Sequence, residues 1–99
     1  ELLDEIVAHL RGAGVRKLYF SNDIDGTDSR WASATGTPAD DGMPPEFVLA
    51  AIERLGREFE WVGADVVEVA PDLGGPEASR ITCETAAKYS VASIRALSS

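Results

Sequence analysis

Apolar residues recur along the chain in two kinds of pattern, which together predict three helices and two strands. Residues 1–12, 45–55 and 78–97 carry apolar side chains three or four positions apart, the spacing of an amphipathic helix. Residues 16–22 and 61–69 are short apolar runs rich in aromatic or β-branched residues, typical of buried strands. The inward face predicted for the last helix consists of Cys83, Ala86, Ala87, Val91, Ile94 and Leu97. A helix followed closely by a buried strand favours an α/β fold with a parallel sheet.

These elements leave one long irregular segment, residues 23–43, which is rich in Asp, Gly, Thr, Ser and Pro. A loop of about 20 residues inside a compact domain is unusual and is often functional. Two strands also make a thin sheet, and the first residue is Glu1 rather than Met. We therefore expect the missing sheet neighbours to lie in sequence upstream of this chain.

Composition narrows the class of protein. Hydrophobic residues make up 44% of the 99 residues, which is enough for a globular core. The net charge of −8 repels phosphates, so nucleic acid and anionic membranes are not expected as partners. Cys83 is the only cysteine, so no internal disulfide can form. No apolar run approaches the ~20 residues that span a bilayer, and no signal-peptide pattern opens the chain, so a cytoplasmic protein is predicted.

The candidate chemistry lies just after the first predicted strand, in the sequence S-N-D-I-D-G-T-D of residues 21–28. Asp23 and Asp25 are two residues apart, and in extended backbone that spacing directs both carboxylates to one face. They also lie at the carboxyl end of a strand, where open α/β sheets bind ligands. Paired carboxylates of this kind favour a hard cation such as Mg²⁺, Ca²⁺ or Mn²⁺. The alternative is a polar turn in which an aspartate caps backbone amides.

A second candidate is Glu68, which interrupts a run of valines in the second predicted strand. If the strand is buried there, the carboxylate needs a charged partner, because an unpaired buried charge is costly. The alternative is that Glu68 lies at the end of the strand and reaches solvent. The periodicity alone leaves both interpretations open.

Three motifs in order resemble the ureohydrolase family of arginases and agmatinases. Residues 21–28 match the pattern S-x-D-x-D-x-x-D, residues 34–38 read A-T-G-T-P at the family's spacing, and residues 67–71 match the strand end E-V-x-P. The resemblance covers residues 15–97 and is more specific than any one motif. It implies a three-layer α/β/α fold with a parallel sheet. Residues 1–99 are then the C-terminal part of a single catalytic domain whose N-terminal half is missing.

The resemblance also implies a role for individual residues. Asp23 would bridge two Mn²⁺ ions and Asp25 would bind one of them, so that a bridging hydroxide attacks a guanidino carbon and releases urea and an amine. Glu68 and Thr37 would contact the guanidino substrate. Asp28 would support the metal ligands without binding metal itself. Members of the family are commonly trimers or hexamers, so a homo-oligomer is implied for the intact protein.

The chain departs from the family pattern in several places. Asn22 stands where an aromatic or apolar residue is usual, Ser29 where proline is frequent, and residues 41–42 read Asp-Gly instead of Gly-Gly. The family's remaining metal ligands, a histidine and a D-x-H-x-D motif, lie upstream of this region, and His9 belongs to no such motif. We therefore expect the isolated chain to be inactive or nearly so and to contain no complete set of catalytic residues.

Two alternatives stay open at this point. The local sequence D-I-D-G-T of residues 23–27 also resembles the first motif of haloacid-dehalogenase-like phosphatases, which are magnesium-dependent and would use Asp23 as the nucleophile. That family's later lysine and second acidic cluster have no convincing counterpart here. The other alternative is a non-catalytic relative of the ureohydrolases that keeps the motif region.

Overall fold

The computed structural model describes residues 1–98 and contains three α-helices and two strands in the order α-β-α-β-α. The elements are α1 (Leu2–Gly12), β1 (Lys17–Asp23), α2 (Pro45–Glu58), β2 (Glu60–Val67) and α3 (Gly75–Leu97). Every predicted helix and strand is present, with ends displaced by up to three residues. Within residues 1–98, no helix combines the length and the apolar character that crossing a membrane would require.

The two strands form a parallel pair, as predicted. The pairing runs from Lys17 opposite Glu60 to Asp23 opposite Val67, with an irregularity between Leu18 and Tyr19. Parallel neighbours need a crossover connection, and α2 supplies it. Both strands consequently end at the same edge of the sheet. Asp23 lies opposite Val67 there, and Glu68 follows Val67.

The core lies between one face of this sheet and helices α2 and α3. Phe20 and Trp61 stack on that face with ring centroids 4.9 Å apart. Ile52 of α2 and Tyr89 of α3 are completely buried in the same core. The opposite face of the sheet is open in residues 1–98, where Tyr19 is 60% exposed. The α/β fold with a parallel sheet is therefore as predicted, and this chain contributes two of its strands.

The predicted inward face of α3 is wrong except at Ala86, which is partly buried and packs against the core. Cys83 and Ala87 are exposed, and so are the larger apolar residues of that face, Val91, Ile94 and Leu97. The residues that α3 buries instead are Thr82, Thr85, Tyr89, Ser93 and Ala96. Hydrophobicity selected the wrong face because the hydroxyls of Thr82, Thr85 and Tyr89 on the buried face form hydrogen bonds to the long loop, and a satisfied hydroxyl can be buried at little cost.

The long loop between β1 and α2 is ordered by its own backbone. A short 3-10 turn, Ile24–Gly26, follows β1 directly, and its Ile24 is fully buried. Further on, the amide of Asp28 donates to the carbonyl of Met43 at 2.9 Å, so the two ends of the loop lie against each other. Asp41 adopts a left-handed conformation with φ of 59°, at a position where the related pattern commonly has glycine.

Candidate metal and substrate site

The carboxyl edge of the sheet brings together the segments that carry the three sequence motifs. Asp23 ends β1, and Glu68 follows the end of β2. The loop after β1 returns to the same edge, because the amide of Ala70 donates to the carbonyl of Ala34 at 2.7 Å. Residues 23–28, 34–37 and 68–70 are thus neighbours although they are far apart in sequence.

Asp23 and Asp25 are close, but not for the predicted reason. The backbone is not extended at Asp25, since this residue lies inside the 3-10 turn of Ile24–Gly26. Asp23 caps that turn, and its Oδ1 accepts a hydrogen bond from the amide of Asp25 at 3.1 Å. The capping interpretation of the acidic motif therefore holds for one oxygen of Asp23, and the turn keeps the carboxylate of Asp23 against the backbone of Asp25.

The remaining oxygens determine what the pair can bind. In residues 1–98, no hydrogen bond is made by Oδ2 of Asp23 or by Oδ1 of Asp25. Asp23 is exposed and Asp25 half-buried, so both oxygens can reach a ligand. Carboxylate oxygens suit a hard divalent cation such as Mn²⁺ or Mg²⁺. No group of three or more His, Cys, Asp or Glu in residues 1–98 is arranged around a metal position, so this pair fits part of a metal site.

Thr37 contacts one of these carboxylates directly. Its hydroxyl donates to Oδ2 of Asp25 at 2.6 Å. The bond spans twelve residues of the loop, so the A-T-G-T-P motif closes back onto the acidic motif. Thr37 was predicted as a substrate contact, and here its hydroxyl orients Asp25.

Asp28 lies in a different environment from the other two aspartates. It is 4% exposed, and its Oδ2 pairs with Nε of Arg30 at 3.2 Å. Its amide binds the carbonyl of Met43, and its carbonyl accepts hydrogen bonds from the amides of Trp31 and Ala32. Asp28 makes no hydrogen bond to Asp23 or Asp25 in residues 1–98, so its contacts stabilise the loop that carries them.

Glu68 is exposed and lies just beyond the end of β2, which resolves the two interpretations of the valine run. The strand was predicted to continue to residue 69, but it ends at Val67 because Glu68 has a left-handed backbone with φ of 70°. That conformation costs a non-glycine residue roughly 1–2 kcal/mol. Strain of this kind persists where the surrounding structure holds it, and here the bond between Ala70 and Ala34 does so.

Asp65 holds the two strands together just below the site. Its carboxylate accepts hydrogen bonds from the hydroxyl of Tyr19 at 3.0 Å, from Oγ of Ser21 at 2.9 Å and from the amide of Asn22 at 3.3 Å. The hydrogen bond to Asp65 also raises the pKa of Tyr19. Ser21, which opens the acidic motif, therefore links β1 to β2 two residues before Asp23.

Together, the parallel α/β fold and the carboxylates at its carboxyl edge define an α/β protein with an acidic loop after a strand. The sequence profile of the Arginase family matches residues 1–93. Human arginase-1 is 32% identical over 93 residues, and an agmatinase from Escherichia coli is 33% identical over 86 residues. The structure of proclavaminate amidino hydrolase from Streptomyces clavuligerus superposes with a TM-score of 0.77 at 34% identity and covers 96% of this chain. The chain belongs to the Arginase family.

The match covers nearly all of this chain but only part of each relative. The chain spans 29% of human arginase-1, 28% of the agmatinase and 31% of the amidino hydrolase structure. The family match decides between the two resemblances of the acidic motif in favour of the ureohydrolases. The fold is arginase-like, and this chain is a portion of it.

Proposed function

We propose that this chain is the C-terminal part of the catalytic domain of a ureohydrolase, and that the intact enzyme hydrolyses a guanidino compound to urea and an amine. The observation that carries the proposal is the convergence at one sheet edge of Asp23, Asp25, Thr37 and Glu68. Each of them lies in a motif that the Arginase family match covers. The remaining metal ligands are then provided by sequence outside this chain.

Asp23 and Asp25 are the residues of this chain that would hold two Mn²⁺ ions. When bound, paired divalent cations lower the pKa of water and so supply hydroxide at neutral pH. Asp23 would bridge through its carboxylate, whose Oδ1 is already fixed by the amide of Asp25. Asp25 would present Oδ1 to one ion, because Thr37 holds its Oδ2.

Glu68 provides the charge that recognises the substrate. A guanidinium is planar, cationic and rich in N–H donors, and a carboxylate pairs with it through two parallel hydrogen bonds. The left-handed backbone of Glu68 turns this residue out of the strand at the carboxyl edge. Binding at Glu68 would hold the guanidino group at the sheet edge that carries Asp23 and Asp25. Hydrolysis would add the oxygen of one water to the guanidino carbon and break the carbon–nitrogen bond, and a proton of that water would go to the leaving amine.

The proposal also includes a class of substrate and an oligomeric state for the intact enzyme. The substrate class is a small guanidino compound, with arginine and agmatine as the first to test. The intact enzyme would be a cytoplasmic homo-oligomer, a trimer or hexamer as is common in the family.

The test is Asp23→Asn in the full-length protein. We expect the substitution to weaken Mn²⁺ binding in titration calorimetry by at least about 100-fold and to abolish urea release, because it removes the charge of a bridging ligand. Asp72→Asn is the matched control, since Asp72 lies in an exposed turn. It should leave both quantities unchanged.

The outcomes separate the candidate functions. Loss of Mn²⁺ binding and of urea release in Asp23→Asn alone supports the ureohydrolase. A wild-type protein that binds Mn²⁺ but releases no urea from any guanidino compound would indicate the non-catalytic relative. Hydrolysis of an aryl phosphate that depends on Asp23 would instead favour the phosphatase.

A further inference from the structure

The buried face of α3 carries four hydroxyl groups, and three of them, on Thr82, Thr85 and Tyr89, face the long loop. Thr82 and Tyr89 are completely buried and Thr85 is 5% exposed. Their spacing of three and four residues places them on one face of the helix. A core-facing helix would ordinarily bury apolar side chains at such positions, so this polar row needs a physical explanation.

All three hydroxyls bind the loop that carries the candidate site. Thr82 Oγ1 accepts a hydrogen bond from the amide of Ala34 at 3.0 Å. Thr85 Oγ1 donates toward the carbonyl of Trp31 at 2.9 Å, a bond that it shares with the carbonyl of Ile81 in its own helix. The hydroxyl of Tyr89 lies 2.6 Å from Oγ1 of Thr27.

The three contacts lie between the two functional residues of the loop, Asp25 and Thr37. Thr27 follows Asp25 by two residues, and Ala34 precedes Thr37 by three. Between these two fixed points the chain reverses, so that the hydroxyl of Thr37 meets Asp25. The distance between the metal-ligating candidate and the residue that orients it is thus set by where α3 holds Thr27 and Ala34.

The bonds to α3 satisfy loop groups that the loop's own backbone bonds do not reach. Ala34 is completely buried, so its amide needs a partner inside the protein, and Thr82 is that partner. An apolar residue at 82 would fill the same space but leave the amide unpaired. Hydroxyls therefore provide directional bonds that an apolar inward face would lack.

We propose that Thr82, Thr85 and Tyr89 are positioning residues, through which α3 sets the geometry of Asp25 and Thr37 for metal binding. This inference rests on the proposed function, in which Asp23 and Asp25 hold Mn²⁺. The three residues touch neither metal nor substrate and act through the backbone and hydroxyls of the loop.

The experiment uses isosteric pairs in the full-length protein. Thr82→Val and Tyr89→Phe each remove the hydroxyl group, whereas Thr82→Ser keeps it. Leaving a buried amide unpaired is expected to raise hydrogen exchange in peptides covering residues 27–37 by roughly fivefold to 100-fold in Thr82→Val. The dissociation constant for Mn²⁺ alone should rise by about fivefold in each hydroxyl-deleting variant, because each variant loses the net contribution of one hydrogen bond.

The controls distinguish positioning from general destabilisation. Ser90→Ala removes an exposed hydroxyl whose one hydrogen bond within residues 1–98 is to the carbonyl of Ala86 in α3, and it should change neither quantity. Thr82→Ser should restore both toward wild type. Exchange in residues 2–12, which belong to α1, should stay unchanged in every variant.

Two results would overturn the inference. One is Mn²⁺ binding that is unchanged in Thr82→Val and Tyr89→Phe while Asp23→Asn abolishes it. The other is exchange that rises equally in the loop and in α1, which indicates only a less stable fold. If Asp23→Asn itself leaves Mn²⁺ binding unchanged, the proposed function fails first, and the inference about metal geometry fails with it.

Discussion

Gly42 is the position in the loop where one added methyl group meets backbone atoms rather than side chains. A Cβ at Gly42 would lie 2.7 Å from the amide nitrogen of Asp28 and 2.8 Å from its Cα. Real Cβ atoms do not approach other atoms so closely, and backbone cannot rotate away as a side chain can. Gly42→Ala must therefore separate the two ends of the loop.

The size of the effect follows from the local contacts. Forcing an extra methyl group into a packed site costs about 1–3 kcal/mol. The separation also strains the bonds from the amide of Asp28 to Met43 and from the amide of Met43 to Gly26, both 2.9 Å long. Each such bond contributes about 1 kcal/mol. Alanine recovers roughly 0.4–1 kcal/mol by restricting the unfolded chain, so we expect a net loss of about 2–4 kcal/mol.

Urea denaturation of the purified protein measures this loss, and Gly36→Ala is the matched control. Gly36 lies in the same loop, and a Cβ built there has no atom within 4 Å. Its φ lies outside the left-handed region, so alanine fits without strain. Gly36→Ala should be neutral or slightly stabilising. If the two variants differ by less than about 1 kcal/mol, the packing argument for Gly42 is refuted.

Three further predictions concern the strand pair, the strained residue and acid stability. Asp65→Asn should lower the free energy of unfolding by about 1–2 kcal/mol, because the charged acceptor of three bonds is lost; an unchanged urea midpoint would contradict it. Glu68→Gly should be more stable than Glu68→Ala by about 1 kcal/mol in the same assay, since only glycine adopts a φ of 70° freely. Hydrogen bonds from Arg11 and then Arg54 lower the pKa of Glu58 below its ordinary 4.5. The pairing of Glu58 with the two arginines contributes its whole stabilisation above pH 4.5 and loses it as pH falls through the lowered pKa of Glu58. In Glu58→Gln, the free energy of unfolding should therefore depend less steeply on pH below 4.5.

Much of the fold could be predicted because the signals are local. The apolar spacing in residues 1–12 and 45–55 identifies α1 and α2, and the short apolar runs identify both strands. The parallel arrangement followed from the alternation of helices and strands. The acidic motif was correctly placed at the carboxyl edge of the sheet, since it follows a strand directly.

The sequence also identified the family through three spaced motifs, and the profile match over residues 1–93 confirms it. The roles of Asp23, Asp25, Thr37, Glu68 and Asp28 in metal and substrate binding stay predictions. What the chain itself adds is their geometry: Thr37 binds Asp25, and Asp28 pairs with Arg30 away from the other two aspartates.

Only the tertiary structure decided which face of α3 turns inward and how the loop is held. The bonds from Thr82 to Ala34 and from Tyr89 to Thr27 join residues 48 and 62 positions apart, a distance over which no periodicity is informative. Threonine counts as a polar residue in a hydrophobicity pattern, yet it can be buried where its hydroxyl forms a hydrogen bond with a specific amide or carbonyl. The sequence by itself therefore determined the elements, their order and the place of the acidic motif. The packing of α3 against the loop determined the hydrogen-bond partners of that motif, because such partners exist only when distant segments meet.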